Sequence, residues 1–110
     1  MDFNTYQKES GRTAIYTGKG EILGLAYVGL GLGEAGEVQG KIKKIIRDDG
    51  GVISDEKRAA IAAELGDLLW YVSQTASEIG VGLDDIAEGN LSKLASRKER
   101  GVLGGSGDDR

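Results

Sequence analysis

Apolar side chains recur every three or four positions across residues 55–79, which predicts one long helix. Ser54 is a suitable N-cap, Asp55 adds negative charge to the first turn, and Gly80 stands where a helix commonly ends. The repeating apolar positions of this helix are Ile61, Leu65, Leu68, Leu69, Val72, Ala76 and Ile79.

A second apolar-rich segment covers residues 22–46, and its later half repeats Val38, Ile42 and Ile45 at helical spacing. Basic side chains crowd its last turns, where positive charge suits the C-terminal end of a helix dipole. The string Asp-Asp-Gly-Gly at 48–51 is typical of a turn. We therefore expect this helix to form an antiparallel hairpin with the helix over 55–79.

The two ends of the chain carry weaker patterns. Loosely spaced aromatic residues predict a helix over 2–17, and Gly-Lys-Gly-Glu at 18–21 predicts a loop. Residues 84–99 form a further predicted helix that ends before Gly101, and the polar, Gly-rich residues 101–110 are expected to be a mobile tail. The side chains of the last helix that we expect to face inward are Ile86, Leu91 and Leu94.

The length and the absence of proline fit one all-α domain spanning residues 1–110. The chain also lacks Cys and His, which excludes disulfides, thiolate nucleophiles, Cys–zinc sites and histidine-containing triads. A net charge of −4 argues against a surface for a nucleic-acid polymer, and no apolar run is long enough for a membrane helix. Because there is no export signal either, we expect a cytoplasmic protein.

Two acidic pairs lie on the two helices of the predicted hairpin. Glu34 and Glu37 are one helical turn apart, and so are Glu64 and Asp67. The midpoint between the two pairs falls within the turn at 48–51, so an antiparallel hairpin brings the pairs level. At a rise of about 1.5 Å per residue, each pair then lies about 15 Å from the turn.

Four carboxylates on faces that otherwise look buried need a cationic partner. Mg²⁺ suits this role because it prefers oxygen ligands and bridges carboxylates to phosphates, and facing helices of bundles commonly build such metal sites. A single Glu-x-x-Glu is usually a solvated helix face, and Lys41 can pair with Glu37 as an ordinary surface ion pair. The pattern alone leaves the metal site and the solvated face both open.

Residues 31–36 match the Gly-x-Gly-x-x-Gly fingerprint of dinucleotide-binding proteins. That fingerprint acts only within a strand–helix–strand unit of a covered sheet. Because every segment after residue 55 is predicted to be helical, we reject it and interpret these glycines as sites of close helix packing.

Asn90, Lys93 and Arg97 form one stripe of the last predicted helix. Beside a bound metal, these side chains could hold phosphate oxygens and a sugar or base edge. A solvated basic face is the alternative interpretation, and the same two interpretations apply to Lys41 and Lys44.

The chain resembles the MazG-like branch of the all-α nucleoside triphosphate pyrophosphohydrolases from about residue 3 to residue 110. The resemblance rests on the following strings: GEAGEV at 33–38, KIKK at 41–44, AELGDLLWYV at 63–72, NLSKL at 90–94 followed by Arg97, and GSGDDR at 105–110. It implies a helical bundle, built on the hairpin and completed by association of subunits as a homodimer or homotetramer.

The same resemblance implies a site for Mg²⁺, for which Mn²⁺ can substitute, and a nucleoside triphosphate substrate. The implied metal ligands are Glu34, Glu37, Glu64 and Asp67, with Glu34 and Glu37 as catalytic carboxylates. The candidates for substrate binding are Lys41, Lys44, Asn90, Lys93 and Arg97. Many relatives carry a further Glu where this chain has Gly33.

The hypothesis that follows is a homo-oligomeric enzyme that splits canonical or aberrant (d)NTPs into nucleoside monophosphate and pyrophosphate. Two alternatives stay open. One is a non-enzymatic helical module whose acidic face docks a basic partner, and the other is a hydrolase of the same fold that acts on another pyrophosphate-containing metabolite.

Overall fold

The computed structural model describes residues 1–110 and contains five α-helices and no strands. The helices are α1 (Phe3–Ser10), α2 (Ile22–Gly31), α3 (Ala35–Asp48), α4 (Asp55–Glu78) and α5 (Leu83–Glu99). The all-α prediction is confirmed. The glycine fingerprint at 31–36 is not part of a strand–helix–strand unit, because the structure contains no strands. None of the helices combines the length and the apolar character needed to cross a membrane.

Helices α3 and α4 form the predicted antiparallel hairpin. Near the turn, Lys57 Nζ lies 3.5 Å from Asp49 Oδ2, and farther away Lys41 Nζ lies 3.8 Å from Glu64 Oε1. Residue numbers therefore decrease along α3 as they increase along α4 in the paired positions, which is an antiparallel arrangement. The turn itself uses two glycines with φ of 60° and 81°, a backbone conformation that other residues rarely adopt.

The ends of α4 and α5 follow the sequence signals. Ser54 Oγ caps α4 by accepting a hydrogen bond from the Lys57 amide at 3.1 Å. Gly80 and Gly101 follow the C-terminal ends of α4 and α5 in the left-handed region, with φ of 72° and 73°. The predicted helix starts and stops after residue 54 are confirmed to within one residue.

Two predicted helices are wrong in their extent. The helix expected over 2–17 ends at Ser10, and a 3₁₀ turn carries the chain to Thr13. Contacts with α4 hold this shorter form, because Trp70 Nε1 donates to Thr13 Oγ1 at 2.8 Å and the Ser10 and Ser73 hydroxyls lie 3.0 Å apart. The segment expected to be one helix over 22–46 is divided by a 3₁₀ turn at Leu32–Glu34.

Helix α4 is the centre of the molecule, with α1, α2 and α3 packed around it, while α5 packs mainly on α1. Gln7 joins three of these elements. Its Nε2 donates to Ser77 Oγ of α4 and to the Val81 carbonyl, and its Oε1 accepts from the Leu83 amide at the start of α5. Asn4 Oδ1 accepts from the next amide, that of Asp84. Side chains of α1 thus satisfy backbone donors at the α5 N-terminus.

Few side chains are buried within one chain. The buried residues are Ala14, Gly24, Val28, Ile45, Ser73, Gln74, Ala76, Leu83 and Arg97. The expectation that Ile86, Leu91 and Leu94 face inward is wrong for a single chain, because these side chains are 40%, 67% and 40% exposed. Much of the apolar surface of the hairpin and of α5 lies open.

Candidate metal centre

Three of the four candidate ligands meet between α3 and α4. One carboxylate oxygen from each of Glu34, Glu64 and Asp67 lies within 4.8 Å of the other two. Glu64 and Asp67 are one turn apart on α4, and Glu34 ends the 3₁₀ turn that leads into α3. Glu34 and Glu64 are half-buried and Asp67 is exposed. We call these three residues the acidic cluster.

The break between α2 and α3 decides how Glu34 is presented. Glu34 occupies the N-cap position of α3, yet its side chain makes no capping hydrogen bond. Its carboxylate oxygens are therefore free to face Glu64 and Asp67 across the hairpin. Glu37 lies in the first turn of α3, where negative charge suits the helix dipole, and it is exposed. The structure leaves Glu37 outside the acidic cluster.

Lys41 is the cation that meets the acidic cluster. Its Nζ lies 3.8 Å from Glu64 Oε1, and both side chains are only partly exposed. This separation is longer than a hydrogen bond, so the ammonium neutralises the cluster incompletely. Lys44 is exposed on the same helix and forms no ion pair.

The acidic cluster fits a hard divalent cation. Mg²⁺ binds oxygen at about 2.0–2.1 Å in octahedral geometry, so its ligand oxygens stand about 3–4 Å apart. Three carboxylate oxygens within 4.8 Å of one another need only small side-chain rotations to reach that spacing. All the donors are oxygens, and neither imidazole nor thiolate is present to favour zinc.

Two tyrosines, Tyr6 and Tyr71, lie near the acidic cluster. Neither belonged to the candidate ligand set. Burial raises the pKa of the Tyr71 phenol, and Tyr27 together with the carboxylates of Glu34 and Asp67 raises it further. Burial also raises the pKa of Tyr6, with a smaller contribution from Asp67. Both shifts disfavour a charged phenolate beside the acidic cluster.

Gly31 makes room for Tyr71. A Cβ atom at Gly31 would overlap the Tyr71 ring, so only glycine allows the ring to lie against the end of α2. The interpretation of the glycines at 31–36 as sites of close packing is therefore confirmed at Gly31 and wrong at Gly33 and Gly36, where a Cβ atom would meet nothing within 4 Å. No sequence motif could have predicted that Tyr6 lies near Asp67, because this proximity arises from the packing of α1 on α4.

Tyr71 belongs to a cluster of four aromatic side chains. Tyr16 stacks on Tyr27 with ring centres 5.2 Å apart, and Trp70 meets Tyr71 edge-on at 5.1 Å. Tyr16 also donates a hydrogen bond to Glu78, and burial together with this contact raises its pKa to about 12. These contacts tie the loop after α1 and helix α2 to α4.

The basic stripe lies on a different part of the chain. Asn90 and Lys93 are exposed on α5, which packs mainly on α1 and not on the α3–α4 hairpin. Arg97 is 5% exposed, and its Nη2 donates to the Asp108 carbonyl at 2.9 Å. Residues 101–110, expected to be a mobile tail, fold back to make this contact.

Comparison of the sequence with known proteins identifies the family of this chain. The family model described as the MazG nucleotide pyrophosphohydrolase domain matches residues 25–102, a range that includes all four candidate metal ligands and the stripe on α5. "Gene 37 protein" of Mycobacterium phage L5 is 52% identical over 114 residues, and the alignment covers 100% of both chains. No solved structure matches significantly. The chain belongs to the MazG nucleotide pyrophosphohydrolase family.

Proposed function

We propose that this protein is a Mg²⁺-dependent hydrolase that splits a (d)NTP into the (d)NMP and pyrophosphate. The observation that carries the proposal is the acidic cluster of Glu34, Glu64 and Asp67 within a MazG domain. Its incomplete neutralisation by Lys41 leaves a net negative site of hard oxygen ligands, which suits the divalent metal typical of the family.

The reaction needs no histidine. Water attacks the α-phosphorus, the α–β phosphoanhydride bond breaks, and pyrophosphate leaves with the bonding electron pair. When bound, the metal ion supplies neutralisation of phosphate charge and acidification of water. We assign the acceptance of the water proton to Glu37 because it is exposed and has no ion pair, with Glu34 holding the metal. Lys41 and Lys44 provide positive charge for the phosphates from α3.

Association of chains is part of the proposal. A radius of gyration of 16.8 Å exceeds the value of about 13 Å expected for a compact chain of this length. Helix α2 carries no charged side chain, yet Ile22, Leu23 and Leu30 are 79%, 57% and 82% exposed. We propose that a second copy of the chain covers α2, in a homodimer or homotetramer.

Product analysis tests the reaction. Purified protein is incubated with each of the common NTPs and dNTPs, with Mg²⁺ or with EDTA, and the products are separated by anion-exchange chromatography. Monophosphate and pyrophosphate that form only with Mg²⁺ support the proposal. Diphosphate and orthophosphate would overturn the assignment of the bond, and no turnover of any nucleotide would overturn the substrate class.

Glu37→Gln tests the proton acceptor. We expect kcat to fall by about 100-fold or more with the fold retained, because a positioned general base contributes about 10²–10⁴-fold. Glu88→Gln is the matched control, since Glu88 is exposed on α5 and forms no ion pair. Full activity of Glu37→Gln would show that this assignment is wrong.

A further inference from the structure

Three tyrosines form a row that begins beside the acidic cluster. Tyr71 lies one helical turn after Asp67 on α4, about 6 Å along the helix axis. Burial and the contact with Tyr27 raise the pKa of Tyr71, and the carboxylates of Glu34 and Asp67 raise it further. The ring centre of Tyr27 lies 6.4 Å from that of Tyr71, and Tyr27 stacks on Tyr16 with ring centres 5.2 Å apart. We call Tyr71, Tyr27 and Tyr16 the aromatic row.

The aromatic row runs along α4 away from the acidic cluster. At the end of α2, Gly31 lies against the Tyr71 ring. Just before α2, the Gly20 amide donates to both carboxylate oxygens of Glu78, at 3.2 and 3.1 Å. Helices α2 and α4 are therefore antiparallel. Since Tyr27 lies one turn before Gly31, it is farther from the acidic cluster than Tyr71 is.

Helix α4 holds the far end of the aromatic row. The Tyr16 hydroxyl donates to Glu78, the same carboxylate that binds the Gly20 amide. Trp70 meets the Tyr16 ring edge-on, with ring centres 6.3 Å apart. One face of the Tyr27 ring thus rests on a side chain that is itself anchored, so a ligand that stacks on Tyr27 has little side-chain freedom to remove.

Tyr27 is the member of the aromatic row that a ligand can reach. It is 50% exposed, whereas Tyr16 and Tyr71 are half-buried. An exposed aromatic ring offers a stacking surface to a nucleobase, because the base is a flat ring with apolar faces and polar edges. The row contains no charged side chain, which suits an uncharged base, while the acidic cluster suits the metal-bound phosphates.

We propose that the base of the nucleotide stacks on Tyr27, with the sugar beside Tyr71 and the phosphates at the acidic cluster. At about 3.6 residues per turn, Tyr27 lies about 140° around α2 from Ile22, at the margin of the face assigned to a second copy. The base therefore lies beside that interface. This inference rests on the proposed function for the identity of its ligand, and it gives a role to Tyr27, which no candidate set contained.

Equilibrium binding of nucleoside monophosphates tests the stacking. Calorimetric titrations of the full chain are done in Mg²⁺ with dAMP, dGMP, dCMP and dTMP, and separately with inorganic pyrophosphate, which has no base. We expect Tyr27→Leu to weaken binding of the tightest-bound monophosphate by about tenfold, the usual scale of one base–aromatic stack, and to leave pyrophosphate binding unchanged. Tyr27→Phe keeps the ring and should bind these ligands like the unaltered chain.

Phe3→Leu is the matched control, because Phe3 is a 47% exposed aromatic residue of α1 that takes part in none of the aromatic contacts. It removes a ring of similar exposure and should bind the monophosphates like the unaltered chain. The proposal is overturned if no monophosphate binds, or if Tyr27→Leu and Phe3→Leu bind the monophosphates equally well. It is also overturned if Tyr27→Leu weakens pyrophosphate and monophosphate binding by the same factor.

The same proteins separate this inference from the proposed function. Mg²⁺-dependent nucleotide turnover together with equal monophosphate binding by Tyr27→Leu and Phe3→Leu would overturn the stacking site and leave the function standing. Monophosphate binding that needs the Tyr27 ring, with no turnover of any nucleotide, would overturn the function and leave a nucleotide-binding surface on the aromatic row.

Discussion

The balance of charge among the carboxylates of the hairpin determines whether they can bind a metal ion. Glu34, Glu64 and Asp67 gather oxygens within 4.8 Å, and the nearest ammonium is 3.8 Å from one of them. In a structural ion pair the cation would lie closer to the carboxylate, and fewer carboxylates would remain unpaired. The residual negative charge is what distinguishes this group from an ordinary solvated helix face.

Gly31→Ala tests the packing of Tyr71 beside the acidic cluster. The added methyl would overlap the ring, so we expect the free energy of unfolding to fall by about 1–3 kcal/mol, as overpacking typically costs. Nucleotide turnover should also fall, because the displaced phenol no longer borders Glu34. Urea unfolding and steady-state kinetics measure the two effects.

Gly29→Ala is the control on the same helix. A Cβ atom there meets nothing within 4 Å, so helix propensity should make it neutral or stabilising by up to about 1 kcal/mol. If Gly31→Ala were as stable and as active as Gly29→Ala, the proposed role of the Tyr71 ring would be wrong.

Tyr16 predicts a loss of stability at alkaline pH. Burial and the hydrogen bond to Glu78 raise its pKa from an ordinary value of 10.0 to about 12. Below pH 10 the phenol is protonated in both the folded and the unfolded chain, and its contribution is fully present. Between pH 10 and 12 the unfolded chain loses this proton first, so the free energy of unfolding falls as pH rises.

Tyr16→Phe checks this assignment, because it removes the titrating group and retains most of the ring packing. Urea unfolding at several pH values from 9 to 11 should show a steeper decline for the unaltered chain than for Tyr16→Phe. Identical slopes would mean that Tyr16 does not titrate differently in the two states.

At the scale of helices, sequence patterns predict those helix ends and turns that are determined by residues close in sequence. The Ser54 cap, the turn at 48–51 and the glycines after α4 and α5 all act within a few residues, and each prediction is confirmed. The break at Leu32–Glu34 is different, because the apolar pattern continues through it. The break puts Glu34 at the N-cap of α3, whose first turn contains Glu37. Periodicity alone placed four carboxylates together, whereas the structure gathers three.

The short length of α1 is likewise a tertiary effect. Hydrogen bonds from Trp70 to Thr13 and between Ser10 and Ser73 span more than fifty positions, and no local signal reports them. The hydrogen bond from the Leu83 amide to Gln7 at the start of α5 also could not be predicted from the sequence. The N-cap residue, Gly82, has no side chain that could accept this bond.

Gln7→Ala tests how α1 holds α5. The change removes donors to Ser77 and Val81 and the acceptor for the Leu83 amide. We expect the free energy of unfolding to fall by about 1–3 kcal/mol, because a partly buried backbone donor loses its partner. Lys8→Ala, at the exposed neighbouring position, should stay within about 0.5 kcal/mol. Equal stability of both variants would contradict the proposed bridge.

At the scale of the whole molecule, a small core and open apolar faces predict association. One chain leaves a face of α2 exposed and keeps α5 away from the hairpin, so we expect a second copy to cover this apolar surface. The sequence could predict association only through its resemblance to a family, since an apolar stripe looks the same whether it packs within one chain or between two.

Leu30→Lys tests the proposed interface on α2. Leu30 is 82% exposed within one chain, so a charge there should cost an isolated chain little. We expect light scattering to give a dimeric or tetrameric mass for the unaltered chain and a smaller mass for Leu30→Lys. Gln39→Lys adds the same charge at an exposed polar position and should keep the assembly. A monomeric unaltered chain would refute the proposed association.

The most direct test of the central claim is the Mg²⁺ dependence of nucleotide turnover in the unaltered chain and in Glu64→Gln, with Glu88→Gln as the matched control. We predict that turnover rises with Mg²⁺ to saturation and vanishes in EDTA, and that Glu64→Gln loses more than about 100-fold in kcat/KM, since even residues outside the ligand shell cost about 10–100-fold. Turnover that persists in EDTA, or that Glu64→Gln leaves intact, would contradict a metal centre at the acidic cluster.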